Sequence, residues 1–406
     1  MDAPVTLHAA MGLENLPVGT LWTHQGAASF RYADDWLRHP HAYPLEPALP
    51  LAAHPHHTRP EQALFASMAD STPDRWGQIL IQRNHAASRV NSTLRPRDYL
   101  LGVSDLTRIG ALRYSEEGSA FLAPGTGVPP LTRLGDLMAA AHKVHTGNTT
   151  PTELELLLSP GSSLGGARPK SNVIDQHGVL HIAKFDHPQD TYSVILWEGA
   201  TLQMAADIGL NVPAFRLLRV GINDVLLLRR FDRQGTDRLP YISALTMLDA
   251  PTAESGSYVA LAHAIRQHSA DATADLHELW SRLAFTILVT NTDNHLRNHA
   301  FIRHPGSAGW TLAPAYDINP TPRTIKPRIL TLPVENNDAT ASLETAIAVS
   351  PQFGLKLSDA KLVIRNMSRI TSRWRSYAAK VGITAGDIAF METAFEHSEL
   401  ATALRI

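Results

Sequence analysis

Between Asn291 and Asn298 the chain reads Asn-Thr-Asp-Asn-His-Leu-Arg-Asn, directly after an apolar run from Leu283 to Thr290. Polar groups thus stand where a buried helix ends, with Asp293 and Asn298 five positions apart. A carboxylate can take the proton of an acceptor hydroxyl and an amide oxygen can hold a metal ion. Phosphoryl transfer needs both. Downstream, Ala313-Pro314-Ala315-Tyr316-Asp317-Ile318-Asn319-Pro320 puts Asp317 in a tight turn after an apolar strand, which suits a second magnesium ligand. The interval between Asn298 and Asp317 leaves room for one hairpin, a geometry that returns the second ligand to the first. Each residue alone also has an ordinary account, since Asn and Asp cap helices and fill turns. The pair at hairpin spacing is more specific than either member.

Upstream, Lys184 lies on a predicted strand, Val179 to Phe185, and Glu198 on the helix that follows. A strand lysine held by a helix glutamate can orient phosphate oxygens, although a strand-end lysine and a surface glutamate are also common. The loop Ser162 to Lys170 supplies small residues and backbone N–H groups. It is not a Walker A loop, because Pro169 and Leu164 stand where that motif requires glycine.

The elements that would position these groups follow from periodicity. A helix is predicted near 131–144, then a loop from Ser159 to Gly166. A hairpin follows (171–174 and 179–185, turning at Asp175-Gln176-His177-Gly178), then a helix over 193–208 stopped by Gly209. Strands are expected at 214–220 and 225–231. Helices are expected at 258–267, 274–289, 357–381 and 385–395, interrupted by one hairpin around Pro305-Gly306. Residues 1–122 have β-like runs and some core of their own. The expected class is α+β and two-lobed like a protein kinase. Residues 1–122 would form a β-rich N-terminal domain, 123–240 an N-lobe with the phosphate loop and Lys184, and 241–406 a mostly helical C-lobe.

Bulk properties narrow the alternatives. The chain has 406 residues, 44% hydrophobic and 18% charged, more than one core's worth of ordinary globular sequence. A formal net charge of -2 argues against bulk electrostatic binding of nucleic acid, and no aromatic stacking platform is evident. There is no cysteine, which excludes disulfides, thiolate metal sites and a thiol nucleophile. The first residues lack the pattern of a secretory signal and the apolar run near 283–290 is too short to span a bilayer, so a cytoplasmic protein is expected. His295 and His299 are four apart, but Leu296 stands where a zinc protease needs Glu. His54-Pro55-His56-His57 reads as a surface loop. No Gly-x-Ser-x-Gly elbow occurs.

Taken together, Ser163-Leu164-Gly165-Gly166-Ala167-Arg168-Pro169-Lys170, Lys184-Phe185-Asp186, Arg230-Phe231-Asp232-Arg233, the 291–298 loop and Tyr316-Asp317-Ile318-Asn319-Pro320 resemble the HipA-like serine/threonine kinases of bacterial toxin–antitoxin systems. Phe30-Arg31-Tyr32, Pro73-Asp74-Arg75-Trp76-Gly77 and Gly110-Ala111-Leu112-Arg113 resemble that family's N-terminal domain. The resemblance implies Asp293 as catalytic base, Asn298 and Asp317 as magnesium ligands, and Lys184 on ATP phosphates with Glu198 as its partner. It implies a closing loop of Gly165, Gly166, Ala167, Arg168, Pro169 and Lys170, an adenine-facing backbone at Arg230 and Phe231, and His295 and Tyr316 beside the nucleotide. Ser163, with Ser162 as neighbour, matches a serine whose autophosphorylation silences such enzymes. A small helix-turn-helix antitoxin would be the partner, with DNA met only through it and no membrane. The protein substrate would be translation-related, an aminoacyl-tRNA synthetase in the best-known members. Two rivals stand beside this reading: a non-toxin kinase of the same fold, and a catalytically silent co-repressor.

Overall fold

The computed structural model describes residues 2–12, 14–24, 26–87, 92–116, 120–123, 127–163 and 166–406. The chain divides into two compact units that interleave in sequence. Unit 1 holds residues 1–189, 219–242 and 302–306; unit 2 holds 190–218, 243–301 and 307–406.

Unit 1 opens with a five-stranded antiparallel sheet in the order β4-β3-β2-β1-β5. The strands are β1 (Val5–Met11), β2 (Glu14–His24), β3 (Ala27–Tyr32), β4 (His56–His57) and β5 (Leu112–Glu116). Alternation sends Val5, Leu7 and Ala9 of β1 inward, each almost fully buried. Register slips between Leu7 and His8, where the partner moves from Gly19 to Pro17. A bulge is where a proline without a donor can sit in a strand. Gly19 has no room for a side chain: a Cβ there would lie 2.3 Å from the Arg31 carbonyl oxygen and 2.5 Å from the Phe30 ring. Phe30 and Tyr32 meet edge to face at 4.9 Å in the core beneath, and the Tyr32 hydroxyl donates to the Leu49 carbonyl at 2.8 Å.

A second hairpin in unit 1 pairs β6 (Lys170–Ile174) with β7 (Leu180–Phe185), in register Lys170↔Lys184 to Ile174↔Leu180. Its turn is built on Asp175, whose Oδ1 accepts from the His177 and Val179 backbone N–H groups at 2.8 and 2.9 Å. Those bonds hold the Asp175 carboxyl below its usual range, the Val179 bond most. Gly178 supplies the left-handed residue, φ +74°. β7 pairs on its other side with the strand Asn223–Arg229.

Beside the sheets lies a buried charge network. Asp232 accepts from Arg230 Nε (2.8 Å) and Nη2 (2.6 Å), from Arg233 Nη1 (2.5 Å) and from the Gly110 N–H (2.8 Å). Asp105 accepts from Arg113 and Arg238. The fully buried Arg108 donates to the Leu100, Val103 and Ser71 carbonyls. Motifs far apart in sequence, Gly110 to Arg113 and Arg230 to Arg233, thus meet through charge.

Unit 2 is mostly helical. The helix Val194–Ile208 is capped by Ser193 and ends at Gly209, φ +94°, close to its expected bounds. Eleven of its fifteen residues are buried, so it presents no solvated stripe. Gly199 fits because a Cβ there would meet Leu217 at 2.7 Å. The helix Ala272–Leu288 is capped by Asp271. One helix expected over 357–381 is two, Leu357–Thr371 and Trp374–Lys380. At the break the Ser372 hydroxyl bonds back to the Arg369 carbonyl, and Trp374 turns inward to stack on Phe395 at 4.7 Å. A further departure lies in unit 1, where the expected loop at Ser159 is the end of a helix, Pro151–Gly161, opened by a Thr150/Glu153 capping box. Among the described residues no helix is long and apolar enough to cross a membrane.

Candidate functional site

In unit 2 the helix Ala272–Leu288 ends with Val289, and Thr290 follows at φ +54°. Left-handed backbone is unfavourable for a β-branched residue. Thr290 is held there by donating to the Ala394 carbonyl at 2.6 Å and accepting from Arg328 Nε at 3.2 Å. The chain then turns into the 291–298 loop.

Within that loop the neighbours Asp293 and Asn294 point to different fates. The Asn294 amide is buried and lies within hydrogen-bond distance of the Tyr258 hydroxyl (2.6 Å), His299 Nε2 (3.1 Å) and Thr286 Oγ1 (3.3 Å). It pins the loop to the helices. Asp293 is thereby turned outward, its side chain 76% exposed, with Lys326 Nζ 3.3 Å from Oδ1. Asn298 is buried and donates its amide N–H to the Asp293 carbonyl at 3.4 Å, which leaves its amide oxygen as the atom for a cation. Two further bonds brace the loop from outside: Thr331 N–H to the Thr292 carbonyl and Leu332 N–H to the Asn294 carbonyl, both 3.1 Å.

Asp317 arrives from the strand Thr311–Leu312, by way of an Ala313 N–H bond to the Ala300 carbonyl. The Tyr316 hydroxyl donates to the Arg297 carbonyl at 2.7 Å, which ties the residue before Asp317 to the residue before Asn298. Asn298, His299, Tyr316 and Ile318 line one small pocket. Asp317 itself sits at φ +59°, a conformation that Asp and Asn adopt more readily than bulkier residues, and accepts from the Asn319 amide at 3.2 Å. Unit 2 therefore bonds Asn298 to the Asp293 carbonyl and the residue before Asp317 to the residue before Asn298; amide and carboxylate oxygens are donors of the hard type that magnesium prefers.

His295 and His299 do not form a zinc pair. His299 is fully buried and bonded to Asn294, and among the described residues no three His, Asp or Glu gather to hold a metal. Burial, helped by the charge of Arg282, pushes the His299 ring down to about 3; burial and Arg328 push His397 down to about 4. Both stay neutral in the folded chain while an unfolded histidine titrates near 6.5. Between pH 6.5 and about 3 the unfolded chain binds more protons. The stability these groups contribute is therefore present above 6.5 and lost as pH falls through that window. Urea midpoints measured from pH 7 to pH 4 are expected to fall, and His299→Gln to flatten the fall. Equal slopes for both proteins would contradict this assignment.

In unit 1 the phosphate-loop candidates are partly clasped by residues known from the sequence only as a motif. Gly166, φ +78°, donates its N–H to Asp74 Oδ2 at 3.0 Å, and its carbonyl accepts from the Trp76 N–H at 3.1 Å. The Trp76 indole donates to the Lys170 carbonyl at 2.8 Å. Gly165 lies outside the described residues. Ala167 is exposed, Arg168 intermediate, and Pro169 and Lys170 are buried. Lys170 and Lys184 are direct cross-strand partners, so two ammonium groups share one face of the hairpin. Ser162 and Ser163 are both buried: Ser162 Oγ accepts from the Ser104 N–H at 3.2 Å and Ser163 Oγ from the Asn172 amide at 3.1 Å. The Arg230 side chain is spent on Asp232, Asn172 and the Thr107 carbonyl, and its backbone N–H on the Leu180 carbonyl. Phe231 packs against Tyr241, with ring centres 6.4 Å apart. Glu198, in unit 2, is buried in its helix.

The family model of the HipA-like C-terminal domain matches residues 162–374, and that of the HipA N-terminal domain matches residues 9–115. The chain belongs to the HipA-like family. A curated relative, a Haemophilus influenzae protein named "Putative kinase", is 26% identical over 225 residues, which is 49% of this chain and 65% of that one. The match thus spans slightly less than two thirds of that relative's length. Among solved structures, the HipA of Shewanella oneidensis MR-1, seen with HipB and operator DNA, superposes with a TM-score of 0.67. It covers 98% of this chain and 96% of its own at 17% identity. The expected α+β, two-lobed architecture, with a β-rich N-terminal domain and a mostly helical C-terminal lobe, is the HipA fold found here. The positions that sequence reasoning did not single out are Lys326, Asn294 and the Asp74–Trp76 clasp. The last carried a signal, since it lies in a motif that had no assigned task.

Proposed function

We propose that this HipA-like chain is an ATP- and magnesium-dependent serine/threonine kinase of the cytoplasm, the toxin of a two-component toxin–antitoxin pair. The observation that supports the reading is an exposed Asp293 carboxylate beside buried Asn298, with Tyr316, the residue before Asp317, bonded to Arg297, the residue before Asn298. Asp293 accepts the proton of the acceptor hydroxyl. Asn298 and Asp317 hold magnesium, which when bound neutralises charge on the phosphates. Two protein ligands would suffice for such an ion, which is commonly bound through one or two side chains together with substrate phosphates. Lys184 and Lys170 contact phosphate, under a loop running from Gly165 through Gly166, Ala167, Arg168 and Pro169. The backbone at Arg230 and Phe231 meets adenine, and His295 and Tyr316 border the nucleotide. The domain limits 1–122, 123–240 and 241–406 belong to the same proposal.

The buried serines support an off switch. A phosphate adds about -1.5 to -2 charges, and among the described residues the site of Ser163 offers it the amide of Asn172 in a buried setting. A phosphorylated Ser163 cannot return there, so the loop leaves its place and ATP loses its cradle. Wild-type protein incubated with magnesium and ATP is expected to lose transfer activity with time, and the Ser162→Ala, Ser163→Ala double variant to retain it. Loss at the same rate in both would sink the switch.

A HipB-like helix-turn-helix antitoxin is the proposed partner, with DNA reached only through it; the Shewanella HipA in its complex with HipB and operator DNA is the support. The target is proposed to be a translation-related protein such as an aminoacyl-tRNA synthetase. Growth arrest on expression in bacteria separates a toxin from a kinase with another task.

A further inference from the structure

We propose that Lys326 is a positioning residue for phosphoryl transfer, fixing the Asp293 carboxylate in the orientation that receives the acceptor proton; the inference rests on the kinase reading above. Asp293 is 76% exposed, and among the described residues the hydrogen-bond partner of its carboxylate is Lys326. An exposed aspartate otherwise samples several rotamers, and each is a different distance from the acceptor hydroxyl.

Lys326 is itself held on three sides. An ammonium has three donors and no acceptor. Here its neighbours are Asp293 Oδ1 at 3.3 Å, Thr331 Oγ1 at 3.2 Å and the Thr292 carbonyl at 3.5 Å. Two of these neighbours are tied to each other, since Thr331 donates to the Thr292 carbonyl through both its hydroxyl (2.8 Å) and its backbone N–H (3.1 Å). Arg328, two residues on, donates to the Ile287 carbonyl and to Thr290 Oγ1. Segment 326–332 is therefore fastened to the end of the helix and to the loop at five or more points, and Lys326 passes that fixed geometry to Oδ1. Oδ2 is left to face the acceptor. As the proton arrives on the carboxylate, the nearby ammonium holds the group in register without taking part in the bond changes.

The role separates from a structural one. Ion pairs this exposed contribute little to folding, so a merely structural Lys326 would show either no effect on rate or a loss that follows the thermal midpoint. Phosphate incorporation into the full chain, measured over a series of ATP concentrations with magnesium present, is the test. For Lys326→Met a loss on the order of 10- to 100-fold in kcat is expected, with KM for ATP and the thermal midpoint unchanged. Lys326→Arg is expected to recover part of the rate, because its guanidinium reaches the same carboxylate. A Lys326→Met protein that works at the wild-type rate overturns the inference alone. So does one whose loss in rate is matched by lost ATP affinity or lowered thermal midpoint. A wild-type protein that transfers no phosphate overturns the kinase reading and this inference together.

Discussion

Replacing Asp293 by Asn is expected to reduce phosphate transfer on the order of 10²- to 10⁴-fold, the range that a positioned general base supplies, while urea unfolding stays unchanged. The two halves follow from one geometry. The Asp293 carboxylate faces solvent, and its ion pair with Lys326 is an exposed one, so the fold loses almost nothing. What the amide cannot do is accept the proton of an incoming hydroxyl. The loop keeps its shape, because its anchors are elsewhere: Asn294 inside, and the Thr331 and Leu332 N–H groups outside. Near-wild-type transfer by Asp293→Asn would remove the residue from the mechanism. A large loss of stability would show that the loop depends on Asp293 in a way its exposure does not suggest.

Asp232→Ala is expected to do the opposite, destabilising unit 1 by about 3–5 kcal/mol. Asp232 is buried to 2% exposure and Arg230 to 3%. Burial would push the Asp232 carboxyl up, but the Arg230 and Arg233 guanidinium groups outweigh it and hold the group well below the usual carboxylate range. Its contribution is therefore present at all pH values above its unfolded range near 4 and is lost only as pH falls below that. Truncation leaves the buried Arg230 guanidinium, the partly buried Arg233 guanidinium and the Gly110 N–H without their shared acceptor. Urea unfolding at neutral pH reads the effect directly. A change under about 1 kcal/mol, the usual value of an exposed pair, would mean that water reaches this network.

What could be read in advance was what short-range physics writes into neighbouring residues. Gly209 stops its helix because only a residue tolerant of positive φ closes it cheaply. Asp175 and Gly178 make the β6–β7 turn for the same kind of local reason. The 291–298 loop and Asp317 stood out through their hairpin spacing, because each residue alone has an ordinary capping or turn account. The helix Pro151–Gly161 was missed although its capping box at Thr150 and Glu153 was in view; Pro160 and Gly161 at its end read as a loop. The break at Ser372 was hidden because it depends on Trp374 finding Phe395. Lys326 and the burial of Ser162 and Ser163 were invisible for a deeper reason. Their partners, Asp293, Ser104 and Asn172, come from other parts of the fold, and no periodicity encodes such meetings. The Asp74–Trp76 clasp on Gly166 is intermediate: its motif was noticed, its partner was not.

The most direct test of the central assignment is mass spectrometry of the purified chain after incubation with magnesium and ATP, wild type beside Asp293→Asn. The account predicts that the wild type gains phosphate, mapped to Ser162 or Ser163, and that the variant does not. No phosphate on the wild type, or the same amount on both proteins, would contradict the claim that Asp293, Asn298 and Asp317 form a phosphoryl-transfer centre.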